Sequence, residues 1–197
     1  MYKMKKKIVS ILAVCMTVLA ISACGNNSES DVPNEQEATK QETISEALKT
    51  HKIWYVTREP AKDSRVWYVD YYDDGKVTRY YVLDAKVEMG DFTGLSDEEV
   101  LKKVKTMDDS PETDSYILSL KTDDTGNTPI LVKIEGQDTG TIFHESTPSR
   151  SYTIYQDTYQ GLTQGTGVAD DQYITKIKED EPMFILDGVD TEGIEVD

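Results

Sequence analysis

The sequence predicts a mainly β fold: antiparallel sheets, as a sandwich or curled barrel, with one or two short helices packed on them and an α+β arrangement as the alternative. Three observations carry that prediction. Two β-branched and aromatic runs flank Asp74-Gly75, a pair suited to the two positive-φ positions of a type I′ hairpin turn. Two later runs alternate, with Tyr116, Leu118 and Leu120 on one face of the first and Ile130, Val132 and Ile134 on one face of the second. Helix-start signals stand out only at Thr43 and Ser96, each ahead of a short apolar stripe.

Taken in order, Thr43-Ile44-Ser45-Glu46 has the capping-box pattern and predicts a short helix to about Thr50. Residues 52–57 read as a strand that Pro60 ends. Residues 65–72 and 76–83 are the hairpin. With Asp74-Gly75 as its loop, Asp73 faces Lys76, and counting outward sets Trp67 against Val82, Tyr68 against Tyr81, Val69 against Tyr80, Asp70 against Arg79 and Arg65 against Asp84. One face then carries Trp67, Val69, Tyr71, Tyr80 and Val82, and the other Val66, Tyr68, Tyr72, Val77, Tyr81 and Leu83. Such a hairpin is either covered on both sides or presents one tyrosine-rich face for recognition. Ser96 as N-cap, Glu99 at N3 and a Leu95–Val100 staple predict a helix to about Met107. Its acids lie in the first turn and its lysines in the last, as the helix dipole favours. Residues 151–155 and 172–178 read as further strands, residues 161–167 as a glycine-rich loop, and residues 183–186 with 193–196 as a closing pair around Asp187-Gly188.

The N-terminus carries a different signal. Lys3, Lys5, Lys6 and Lys7 precede an apolar run over residues 8–21, too short to be read as a membrane-spanning helix. Ile21-Ser22-Ala23-Cys24 closes that run. Together these features resemble the lipobox of bacterial lipoproteins. The resemblance implies cleavage after Ala23 and lipidation of Cys24, whose two acyl chains suffice for stable anchoring. It divides the chain into a signal peptide (residues 1–23), a disordered acidic linker (24–42) and a single β-rich extracytoplasmic domain (43–197). The linker is almost free of apolar residues and, as a coil, would span on the order of 25 Å. Cys15 and Cys24 are the only cysteines, so the domain itself has neither thiol nor disulfide.

Charge narrows the partners. The whole chain has 21 basic and 37 acidic side chains, a formal charge of −16. Its first 23 residues hold four of the lysines and no acid, so the chain from Cys24 onward carries −20. That balance excludes nucleic acid, which is bound by neutralising phosphates. It also opposes lying flat on an anionic membrane. Cationic peptides, amines and metal ions are the ligand classes an acidic surface attracts.

No catalytic motif is legible. The two histidines, His51 and His144, do not sit in a Gly-x-Ser-x-Gly, His-Glu-x-x-His or Walker context. His144-Glu145-Ser146 reads as a solvated turn before Pro148, and residues 123–127 as a hairpin turn, lacking the distal ligand of a calcium loop. No cofactor and no metal site is expected. The tyrosines are the remaining lead: Tyr68, Tyr72 and Tyr81 as ligand-binding residues, with Tyr152, Tyr155 and Tyr159 as further members, because a tyrosine offers an apolar face and a polar tip.

Lys52-Ile53-Trp54-Tyr55, Asp74-Gly75-Lys76-Val77 and Gly94-Leu95-Ser96-Asp97-Glu98-Glu99 resemble stretches of small surface lipoproteins of Gram-positive bacteria. That resemblance implies a lipid-anchored protein on the outer side of the cell membrane and transfers no active site. The functional expectation is a non-enzymatic binding or accessory module, with cationic peptides or an envelope protein as partner. The alternatives are a cell-wall polymer hydrolase working through a carboxylate pair and a structural member of an envelope complex.

Overall fold

In a computed structural model that describes residues 41–165 and 170–197, a short helix opens a chain of antiparallel strands. Helix α1 (Ile44–Thr50) starts at the capping box: the Thr43 hydroxyl accepts the Glu46 N–H and the Glu46 carboxylate accepts the Thr43 N–H. Strands β1 (Ile53–Thr57), β2 (Val66–Asp73) and β3 (Lys76–Tyr81) precede helix α2 (Asp97–Val104). After it come β4 (Glu112–Thr122), β5 (Pro129–Gly136), β6 (Gly140–Pro148), β7 (Tyr152–Ile154), β8 (Asp157–Gln164), β9 (Asp171–Ile177) and β10 (Ile194–Val196).

Ladders run in the order β4-β3-β2-β1-β9-β8-β6-β5, and β5 pairs with β4, so eight strands close into an antiparallel barrel. Closure removes the open edges that a flat sheet of this size would expose. The length of β4 makes it possible: Glu112–Ser115 pair with β3 and Tyr116–Thr122 with β5. Strand β7 adds to β8, and β10 lies parallel to β4.

The β2–β3 hairpin is covered on both sides. Its inner face joins the barrel core, where Trp54, Val56, Tyr72, Val77 and Tyr173 meet Leu120, Ile134 and Phe143. Helix α1 packs Ile44, Ala47 and Leu48 onto that core. The outer face, with Val69, Tyr80 and Val82, lies beside Tyr55 of β1 and under the β3–β4 connection, which contributes Val87, Met89, Phe92, Val100 and Val104. Alternating side chains on β1 thus serve two cores, which is why that strand is buried at every position.

Asp74 (φ 48°) and Gly75 (φ 74°) form the type I′ loop, and the register counted from it holds from Asp73–Lys76 to Tyr68–Tyr81. Beyond it two expectations fail. Arg65 bridges to Glu88, not Asp84, because a 3-10 turn at Leu83–Ala85 and a left-handed Lys86 (φ 56°) turn the chain away. A β-bulge also intervenes, with Val56 opposite Tyr68 and Thr57 opposite Val66, leaving Trp67 as the extra residue. Alternation reverses there, so Val66 joins the outer core and Trp67 packs against the inner one.

Four further expectations are corrected. Helix α2 ends at Val104, not Met107, with a turn carrying the chain onward. His144-Glu145-Ser146 lies inside β6, where the Ser146 hydroxyl donates to the Val132 carbonyl at 3.2 Å. The first part of the supposed loop, Gly161 to Gln164, is the second half of β8, while Gly165 follows the strand and Gly167 lies outside the described residues. At Gly161 a Cβ would collide with the Tyr173 carbonyl oxygen and crowd Ile174 and Trp54, so this glycine marks a close strand approach. Finally, residues 183–186 and 193–196 do not pair with each other: Ile185 bridges to Thr43 and β10 pairs with β4.

Candidate functional site

The hairpin register places Tyr68 directly opposite Tyr81 on the inner face, with rings perpendicular and centroids 4.9 Å apart. One pleat further in, Asp70 faces Arg79. The guanidinium donates from Nε to Asp70 Oδ1 at 2.8 Å and from Nη2 to Oδ2 at 2.7 Å. Nη2 also donates to the Ile142 carbonyl at 2.9 Å, and the guanidinium carbon lies 4.8 Å over the Tyr68 ring.

Asp70 is fully buried at 0% exposure, so its charge depends on these donors. The Tyr173 hydroxyl supplies another, donating to Oδ2 at 2.7 Å while lying 2.8 Å from the Tyr72 hydroxyl. Proton order follows: Tyr72 donates to Tyr173, Tyr173 to Asp70, and Arg79 to Asp70 from the other side. Burial first, and then the Asp70 charge, push the Tyr72 and Tyr173 phenols far up, which keeps both protonated as donors. At Arg79 desolvation opposes the charge, but the Asp70 carboxylate and its hydrogen bonds outweigh it and the guanidinium stays ionised.

Arg79 therefore closes an internal account and leaves an acidic surface outside it. Tyr81 is 46% exposed, and its N–H donates to Asp108 Oδ2 at 2.8 Å. A small cleft beside it is lined by Val77, Arg79, Tyr81, Glu112, Asp114, Thr139 and Ile142. Glu112 lies opposite Arg79 across the β3–β4 ladder. Asp114 accepts from the Asp138 N–H at 2.8 Å and from the Thr139 N–H and hydroxyl at 2.9 Å each. Those amides, Asp138's first, hold its carboxyl below the usual range, so it is charged at neutral pH. Burial and then the Glu112 charge push the Tyr81 phenol up. The exposed Tyr81 side chain, with the Glu112 charge acting on it, Asp114 lining the same cleft, Asp108 on its N–H and the nearby arginine already neutralised, is suited to a cationic group.

The tyrosines singled out in the sequence thus land in three environments. Tyr81 is exposed, Tyr68 is half-buried between it and Arg79, and Tyr72 is 1% exposed within the barrel. Tyr155 is exposed at a left-handed turn (φ 54°), Tyr152 is half-buried, and Tyr159 is buried in the outer core. Arg79 and Asp70 appeared in the sequence only as a register match. A cross-strand ion pair flanked by aromatics on both strands was the available signal for a buried anchor. Asp108, Glu112 and Asp114 carried none, because their proximity to Tyr81 depends on β4 pairing with β3.

Two other surfaces carry charge. Arg58 lies 5.6 Å over the Trp67 ring in an open groove with Arg65, Glu59 and Ser64. Lys49, Lys52, Asp73 and Asp74 line a cleft under α1, where Lys52 pairs with Asp73 at 2.6 Å. His144 is exposed on β6, and its neighbour Glu145 pairs with Lys121 at 3.3 Å. Asp123 Oδ1 accepts the Thr125 hydroxyl at 2.7 Å and the N–H groups of Thr125, Asn127 and Thr128, so the turn uses that carboxylate itself. Cys24 lies outside the described residues. Among the described residues no helix is long and apolar enough to cross a membrane. Comparison of the chain with protein-family models, curated proteins and solved structures finds no match.

Proposed function

We propose that this chain is a lipid-anchored extracytoplasmic protein whose barrel domain is a non-enzymatic binding module for cationic peptides. The observation that supports binding is the exposed Tyr81 side chain with the Glu112 charge acting on it, Asp114 in the same cleft and Asp108 on its N–H. A Lys or Arg side chain laid on that ring gains about 0.5–1 kcal/mol from the cation–π contact at an exposed site. Nearby carboxylates add a salt-screened attraction over roughly a Debye length, about 10 Å at 0.1 M. One such contact is weak, so a ligand of useful affinity carries several positive side chains and spreads over the −20 surface. The anchor reading rests on the lysine-rich start, the apolar run and Cys24.

Titration of an Arg/Lys-rich peptide, followed by amide shifts at about 20 mM and 150 mM salt, tests the binding reading. The expected result is perturbation of Tyr68, Tyr81 and Glu112, with affinity falling as salt rises. Tyr81→Ala and Glu112→Gln should each weaken it severalfold. Binding that both variants leave unchanged, or no binding at low salt, refutes the assignment. For the anchor, Cys24→Ala should move the protein from the membrane fraction to the soluble one; a variant still membrane-bound overturns that half.

A further inference from the structure

At the base of α1, Glu42, His51 and Glu181 bring together three metal-ligating side chains from three separate stretches of chain. One carboxylate oxygen of each glutamate and one ring nitrogen of His51 all lie within 4.8 Å of one another. We propose that these three residues hold one divalent cation of the zinc class.

The donor set argues for that class. An imidazole nitrogen with two carboxylate oxygens suits zinc and its first-row neighbours, whereas magnesium and calcium favour oxygen alone. The spacing is close to what zinc requires. Bonds of about 2.0–2.2 Å at tetrahedral angles separate ligand atoms by roughly 3.4 Å. Glu42 Oε2 and His51 Nε2 already stand 3.1 Å apart. The sides to Glu181, up to 4.8 Å, are wider than a tetrahedral site requires, so its carboxylate moves inward on binding, and one position is left for water.

Each donor is also held in place. Glu42 is fixed by its backbone, whose carbonyl accepts the Ile185 N–H at 3.0 Å, while the Ile44 N–H donates to the Ile185 carbonyl at 3.0 Å. His51 follows α1, donating its N–H to the Ala47 carbonyl at 2.8 Å and accepting the Trp54 indole N–H at 2.9 Å. Its ring lies 5.5 Å from that of the buried Phe184. Glu181 Oε2 accepts the Lys178 N–H at 2.9 Å, which orients the carboxylate and leaves its second oxygen for a metal. Glu42 and His51 are only 18% and 12% exposed at their side chains, so a cation would replace their mutual contact with stronger bonds in a half-sheltered site. Among the described residues no lysine or arginine pairs with the Glu42 or the Glu181 carboxylate. A bound ion would staple the segment entering α1 to the stretch after β9.

The test is calorimetric titration of zinc chloride into the chelator-stripped full chain at pH 7.5, with magnesium chloride as the parallel titrant. One equivalent should bind with a Kd of 10 µM or tighter, with no matching magnesium site. The His51 ring nitrogens should shift while those of His144 do not. Glu181→Gln, which keeps size and shape, and His51→Gln should each weaken zinc at least tenfold, with circular dichroism unchanged for at least the first. Equal binding of magnesium, zinc affinity unaltered in Glu181→Gln, or no zinc binding at 10 µM overturns the proposal.

Discussion

Arg79→Met is the most informative single change this fold offers. The substitution keeps the length and apolar bulk of the side chain and deletes its charge. It removes the two hydrogen bonds to Asp70, at 2.8 and 2.7 Å, and the bond to the Ile142 carbonyl at 2.9 Å. Asp70, at 0% exposure, is left with the Tyr173 hydroxyl as its side-chain donor. Breaking a buried pair by deleting one partner costs about 3–5 kcal/mol, most of it the penalty of a carboxylate stranded away from water. Against the roughly 5–15 kcal/mol of a typical domain this is a large fraction. Urea unfolding reads it directly: with a slope of about 2 kcal/mol per molar, a 4 kcal/mol loss lowers the midpoint by about 2 M. Asp70→Asn combined with Arg79→Met removes both charges and keeps an acceptor for Tyr173, so it should recover about half of the loss or more. A single variant within about 1 kcal/mol of wild type, or a double variant whose cost is the sum of the two singles, would refute the account of Asp70–Arg79 as a coupled buried pair.

Three other outcomes are expected. Gly161→Ala should destabilise the barrel by about 3 kcal/mol or more, because its Cβ meets the backbone of β9, which cannot rotate aside; a melting temperature within a degree or two of wild type would contradict that packing. The folded-state Asp114 carboxyl is held below its unfolded value, so its contribution to stability is full above about pH 4 and is lost as pH falls through the lower folded value. Asp114→Asn should therefore lower stability at pH 7 and flatten the acid limb below pH 4, as followed by urea midpoints across pH 2–7. Thr43→Ala deletes the α1 N-cap acceptor and should cost about 1 kcal/mol in chemical denaturation, whereas Thr43→Ser should cost little.

Residues close in sequence decided much of this fold before any tertiary contact is considered. Thr43 with Glu46 and Ser96 with Glu99 cap the two helices because a hydroxyl and a carboxylate three residues apart satisfy each other's end of the first turn. Asp74-Gly75 sets the hairpin register because only such a pair tolerates two positive φ angles, and pairing then follows by counting. Those signals, with the alternation in β4 and β5, made the mainly β class and the curled antiparallel sheet legible. Residues distant in sequence decided the rest. The Trp67 bulge depends on β1, the burial of Gly161 on β9, and the β-structure of His144–Ser146 on β5. None of these partners leaves a local trace, since a glycine in a loop and a glycine at a close strand approach read alike. The candidate site follows the same division. Tyr68 opposite Tyr81 was countable from the turn, but the carboxylates about Tyr81 and the conversion of Asp70–Arg79 into a buried anchor required barrel closure. Closure fixes which face is inside, and with it whether a charge meets water or must find a partner.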